Sequence, residues 1–214
     1  LRSDASGRIV EPAPPREVTM SITFYYSPRS TATRVHWALE ELQIPYAKVK
    51  VDLAAGDQKK PEYLRLNPNG KVPCLVDEST PIFESLAILI HLGQKFGAAS
   101  GLWPRLGSPG QGQALAWTVW GASTLGGAVR RFAHGGSDPD KGRAEVAPLL
   151  AILDGRLAPG LNVLGERFTL VDIATAGGLT LLARTDLSLD SYPQVKEWLA
   201  RVISRPALAT VSQE

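Results

Sequence analysis

The sequence predicts a two-part protein, an α/β domain followed by an all-helical one, and three observations carry that prediction. Between residues 20 and 97, β-forming runs alternate with apolar stripes of helical period, in the order strand, helix, strand, helix, strand, strand, helix. Residues 98–112 are rich in Gly, Pro and Ser and break this pattern as a linker would. From 113 to 214 only helical periodicity follows. A chain of 214 residues is long enough for two such domains.

The first strand, 21–26, alternates and is rich in Ile, Thr, Phe and Tyr. Ser27-Pro28-Arg29 is a loop. Ser30 can then cap a helix whose apolar side is Ala32, Val35, Leu39 and Leu42, until Ile44-Pro45 stops it. Residues 46–51 alternate again as a second strand. Pro61 suits the first turn of a short helix ending near Leu66. Residues 72–76 and 81–83 form a hairpin across Asp77-Glu78-Ser79-Thr80. The helix over 85–96 is apolar nearly all round, so it should be buried. Two strands joined by a helix should be parallel, and two joined by a turn antiparallel. That is a thioredoxin-like unit of about 80 residues.

In the second part, 114–132 is helical, with Trp117, Trp120, Thr124 and Ala128 along one side. Gly135-Gly136-Ser137 breaks the chain, and Asp138-Pro139 restarts it as cap and first helical residue. Further helices are predicted over 141–157, 171–183 and 193–204; the last carries Val195, Trp198, Leu199, Val202 and Ile203 as one stripe. Gly126-Gly127 and Gly177-Gly178 lie inside helical stretches and are expected to allow close helix packing. Residues 1–19 contain no apolar core of a secretory signal and are expected to be a leader or a cloning remnant before a start at Met20.

Composition excludes several classes of function. A net charge of +2 gives no electrostatic footprint for nucleic acid or an anionic membrane. No apolar run reaches the length of a membrane span. The single cysteine, Cys74, permits no internal disulfide and points to a cytoplasmic location. One Cys and three scattered histidines, His36, His91 and His134, argue against a metal site. Cys74 follows a proline at a strand start and reads as a small core residue.

Two segments carry chemistry. Asn67-Pro68-Asn69-Gly70-Lys71-Val72-Pro73-Cys74-Leu75 ends a helix, turns, and enters a strand through Val72-Pro73, a candidate cis bond. Such a bond can expose the Val72 backbone sideways for pairing with another backbone. Phe83-Glu84-Ser85-Leu86-Ala87-Ile88 leaves a strand and opens a helix with a carboxylate and a hydroxyl, beside N–H groups that suit an anion. Together they suit capture of a small extended peptide with charged ends.

With Phe168-Thr169-Leu170-Val171-Asp172-Ile173-Ala174, whose Thr169 and Asp172 have capping-box spacing, these segments resemble the cytosolic glutathione transferase family, specifically its bacterial and fungal subgroups with a serine-centred or undefined catalytic position. The resemblance covers nearly all of the chain from Met20 onward. It implies glutathione as co-substrate, with no metal. It implies that Glu84 pairs the glutathione ammonium, that Ser85 and the helix N-terminus take the γ-glutamyl carboxylate, and that Val72-Pro73 presents backbone to the cysteinyl part. Lys71 would stand near the glycyl end, with Lys59 and Lys60 as alternatives. For the thiol the expected group is Ser30, a hydroxyl at a helix N-terminus, with Tyr26 as its rival. The beta-class cysteine is missing, and Thr31 falls at its place.

The function expected from the resemblance is detoxifying conjugation of glutathione to a small hydrophobic electrophile. Trp120 and Thr124 would line the electrophile pocket, and the protein would be a homodimer with no nucleic-acid or membrane partner. Glutathione-dependent disulfide reduction or peroxidase activity, or a non-catalytic ligand-binding module, are the alternatives. Thr169 and Asp172 are expected to serve folding.

Overall fold

The structure, a computed structural model, describes residues 22–135, 138–157 and 161–212. The reading of residues 1–19 lies outside the described residues. Strand β1 (Ile22–Tyr26) leads into helix α1 (Ala32–Leu42), then β2 (Ala47–Lys50), the short α2 (Pro61–Leu64), β3 (Cys74–Asp77), β4 (Thr80–Phe83) and α3 (Ser85–Leu92). The four strands form one sheet in the order β2-β1-β3-β4. β1 runs parallel to β2 and antiparallel to β3, and β3 and β4 form the expected hairpin. Phe24 and Leu75 are paired in register and fully buried, which seats α1 and α3 on the same sheet face.

The predicted helix over 85–96 is interrupted. A π-helical turn (Gly93–Gly97) follows α3, and α4 (Ala98–Ser100) continues it. Trp103 packs against this turn: a Cβ at either Gly93 or Gly97 would lie 2.5 Å from its side chain, so only glycine allows that approach. The expected linker is shorter than 98–112, because α5 (Pro109–Val119) starts inside it with Pro109 in its first turn. α5 passes through a π-helical turn (Trp120–Leu125) into α6 (Gly126–His134).

α7 (Pro139–Arg156) begins at Asp138, whose carboxylate accepts the Lys141 N–H at 3.0 Å. α8 (Leu170–Leu179) is buried along nearly its whole length and packs on α6; a Cβ at Gly178 would lie 2.8 Å from the Gly126 Cα. It ends in a 3₁₀ turn (Thr180–Arg184), and α9 (Pro193–Ile203) and α10 (Pro206–Ser212) complete the domain. Sequence periodicity did not register α10, which is too short to show a stripe. Its signal was Pro206 at the first helical position. Arg205 holds the junction before it: Nε and Nη2 donate to the two Glu41 carboxylate oxygens at 2.6 Å each, and the guanidinium lies 3.8 Å from the Phe168 ring centroid.

Asp172 organises the start of α8. It is fully buried, and its carboxylate accepts from the Thr169 N–H (2.8 Å), the Thr169 hydroxyl (3.0 Å), the Val163 N–H (2.9 Å) and the Trp198 indole N–H (2.9 Å). Burial pushes this carboxyl up against those four donors. The predicted capping box is formed, and it reaches beyond its own helix to α9. Among the described residues, no helix is long and apolar enough to cross a membrane.

Candidate functional site

The site begins where β1 delivers the chain to α1. The Ser30 hydroxyl donates to the Ser27 carbonyl at 2.7 Å and accepts the Ala32 N–H at 3.1 Å. A serine has one proton to donate, so Ser30 braces the loop and caps α1. The next residue, Thr31, turns its hydroxyl toward the Val72 carbonyl at 3.5 Å, the outer limit of a hydrogen bond. The Tyr26 ring is stacked on Phe24 at 5.5 Å and tilted on His36 at 5.7 Å.

Facing Thr31 is the Asn67–Pro73 segment. The Val72-Pro73 bond is cis. Asn67 is buried; its amide donates to the Lys71 carbonyl at 2.6 Å, and the Tyr63 hydroxyl donates to the same carbonyl at 2.7 Å. These two bonds fix the turn, and Val72 stands outside the β-ladder, which starts at Cys74. On the third side Glu84 occupies φ 70° between β4 and α3, and Ser85 opens α3. A non-glycine residue in that region costs about 1–3 kcal/mol and persists where its surroundings over-determine it, commonly at functional sites.

The five residues expected at the glutathione end, Lys71, Val72, Pro73, Glu84 and Ser85, line one cavity of about 270 Å³, together with Thr31, Arg34 and Asn67. A second cavity of about 300 Å³ adjoins it and includes Ser30, Trp37, Leu181 and Leu208. Thr31, Arg34 and Arg130 belong to both. Tyr26, Lys59 and Lys60 line neither. Lys60 pairs with Asp57 at 2.6 Å, and Lys59 reaches the Asn69 carbonyl at 3.5 Å.

Trp120 and Thr124 also lie outside both cavities. The π-helical turn that starts at Trp120 takes the helix out of 3.6-residue phase, so periodicity extended from Trp117 does not follow the lining of these cavities. Trp120 packs edge-on against Trp117 with ring centroids 5.1 Å apart, Thr124 is exposed, and Ala122 and Ser123 face the first cavity instead.

Sequence reasoning named Thr31 and Asn67 without giving either a role in the cavity, and passed over Arg34 and Arg130. Arg34, next to Val35 in the α1 sequence, has no local pattern that sets it apart from other cations. It is only 7% exposed. Among the described residues it has neither ion pair nor hydrogen bond. Burial, with repulsion from Arg130 added, draws its guanidinium down to about 10, so it remains charged at neutral pH. Cys74 is fully buried and its thiol is pushed up to about 11 by burial, which leaves it a neutral core side chain. Among the described residues no cluster of three or more His, Cys, Asp or Glu can hold a metal.

Comparison with known proteins matches this architecture along its length. Residues 20–94 match the family described as Glutathione S-transferase, N-terminal domain, and residues 121–206 the Glutathione S-transferase, C-terminal domain. The chain is 32% identical to the disulfide-bond oxidoreductase YfcG of Escherichia coli (strain K12), over 87% of this chain and 92% of that protein. It is 32% identical to glutathione S-transferase PARB of Nicotiana tabacum, over 88% and 95%. Its fold superposes with a TM-score of 0.78 on a glutathione transferase family member from Pseudomonas fluorescens that was solved with two glutathiones bound, at 28% identity over 92% and 95% of the two chains. The thioredoxin-like sheet, the helical domain and these relationships together place the chain in the glutathione S-transferase family.

Proposed function

We propose that the protein is a glutathione transferase, binding glutathione in the first cavity and joining its sulfur to an electrophile in the second. The observation that carries the reading is the meeting of the two cavities at Thr31. Glu84 takes the glutathione ammonium, and Ser85 with the α3 N-terminus takes the γ-glutamyl carboxylate through charge-assisted hydrogen bonds. Val72 pairs its backbone with the cysteinyl residue, and Lys71 faces the glycyl carboxylate. That path carries the sulfur to the Thr31 hydroxyl.

Thr31 replaces Ser30 as the thiol donor in this reading, because the Ser30 proton is bonded to Ser27. A tenfold gain in thiolate needs about 1.4 kcal/mol, within the range of one hydrogen bond to an anion. The thiol proton leaves to solvent, the sulfur bonds the electrophilic carbon, and the leaving group departs with its electron pair. The test is calorimetric titration with glutathione, then turnover of 1-chloro-2,4-dinitrobenzene. Micromolar to millimolar glutathione affinity with turnover is expected; no binding at millimolar glutathione overturns the reading.

Disulfide reduction is the second reading, favoured by the likeness to YfcG and to a relative holding two glutathiones. With Cys74 buried, both thiols of that exchange would come from glutathione. A homodimer acting in the cytoplasm accompanies either reading, and sedimentation velocity tests the dimer.

A further inference from the structure

We propose that the second cavity is a carboxylate-binding subsite, so that the second reactant carries a carboxylate held by Arg34 with Arg130 and Arg184. This rests on the transferase reading above, because it names the reactant class for the same site. It narrows the small hydrophobic electrophile expected from the family resemblance to one that carries a carboxylate.

The lining is the first argument. Arg29, Arg34, Arg130, Arg184 and His134 all border the second cavity, and no Asp or Glu does. The four arginines arrive from separate elements: the loop after β1, α1, α6 and the 3₁₀ turn after α8. Convergence of like charges from four elements costs repulsion that an anion between them relieves. Among the described residues, none of the four has a carboxylate partner. Other surface arginines do pair, as Arg143 does with Asp186 at 2.5 Å and Arg205 with Glu41 at 2.6 Å.

The second argument is Arg34 itself. Arg34 is a residue only 7% exposed whose charge has no partner among the described residues, and a buried charge is costly unless something pairs with it. It lies on the wall shared by both cavities, beside Thr31. A carboxylate on Arg34 therefore sits close to the place where the sulfur would be. Arg184, Arg29 and His134 border the second cavity alone, so glutathione held in the first does not account for them. Trp37, Leu181 and Leu208 supply apolar walls for the body of the reactant. Two sources offer this chemistry, a small acidic electrophile and the second tripeptide of a glutathione disulfide.

The experiment uses the full chain and two unreactive probes of matched shape, 3,5-dinitrobenzoate and 3,5-dinitrobenzamide, titrated calorimetrically at low ionic strength with and without glutathione. The benzoate is expected to bind about tenfold or more tightly than the amide. The preference should shrink severalfold in Arg184→Gln, with glutathione affinity retained, and vanish in Arg34→Met. Equal binding of the two probes to the wild-type protein overturns the subsite, as does a preference unchanged in both variants. Loss of glutathione binding with the benzoate preference intact overturns the transferase reading and leaves the subsite standing. The chlorinated pair separates the sources. In 4-chloro-3,5-dinitrobenzoate and its amide the sulfur bonds the ring carbon, chloride leaves, and the thiol proton goes to solvent. Faster turnover of the acid supports an acidic electrophile; displacement of the benzoate probe by glutathione disulfide but not by glutathione supports the second tripeptide.

Discussion

Replacing Arg34 by methionine is expected to make the free protein more stable. Arg34 is 7% exposed as a residue, and its guanidinium is unpartnered among the described residues. Its fall to about 10 corresponds to about 3 kcal/mol of unfavourable free energy on the charged form. The sign follows from proton binding: the folded state holds this proton less tightly than the unfolded state, so the penalty is complete below about 10 and fades only above it. At neutral pH the whole penalty is present. Methionine keeps an unbranched apolar stem of similar reach and removes the charge. Some packing is lost with the guanidinium, so the net gain should be about 1–3 kcal/mol, or roughly 2–10 °C in Tm. Urea unfolding at pH 7 without glutathione measures it. A second arm adds sulfate, which should raise the Tm of the wild type by binding the folded form and have less effect on Arg34→Met. A variant destabilised by more than about 1 kcal/mol would refute the reasoning, since it would show that the guanidinium is already well served in the folded state.

Four further outcomes are expected. Ser85→Ala should weaken glutathione binding by about 1.5–3 kcal/mol, read by calorimetry, and unchanged affinity with an intact fold would remove Ser85 from the site. Thr31→Val should raise the pKa of bound glutathione thiol, read from thiolate absorbance against pH, whereas Ser30→Ala should chiefly cost about 0.5–2 kcal/mol of stability as a lost cap; the reverse pattern would restore Ser30 as the donor. Asp172→Ala should destabilise by at least about 2 kcal/mol, because the Val163 and Trp198 N–H groups lose their acceptor, while turnover per folded molecule changes little. Burial raises the Asp77 carboxyl, but hydrogen bonds from Lys95 at 2.6 Å and His91 at 2.7 Å prevail and hold it below its ordinary value. Its stabilisation is therefore present above the ordinary carboxylate range and lost as pH falls through the folded value; Asp77→Asn should lower stability at pH 7 and flatten that acid limb in a pH series of unfolding curves.

Much of this architecture is written locally. Alternation in 22–26, the helical stripe through Val35 and Leu39, and Pro61, Pro139 and Pro193 at first helical positions depend on neighbours within one or two turns. The same holds for the turn before Val72-Pro73, the Glu84-Ser85 junction and the Thr169–Asp172 box, so the segments proposed to hold glutathione were legible as well. What short-range pattern could not supply is phase and partnership. The π-helical turns depend on what packs beside them, as Trp103 does on Gly93 and Gly97, and at Trp120 such a turn moved the cavity lining to Ala122 and Ser123. How tightly the Ser30 and Thr31 hydroxyl protons are held was decided by the fold of the loop, which sets the Ser27 carbonyl 2.7 Å from Ser30 and the Val72 carbonyl 3.5 Å from Thr31. Arg34 reads in sequence as one cation among many. Only the tertiary structure buries it and sets Arg130 and Arg184 around the same cavity, because charge acts through space and the residues involved are far apart in the chain.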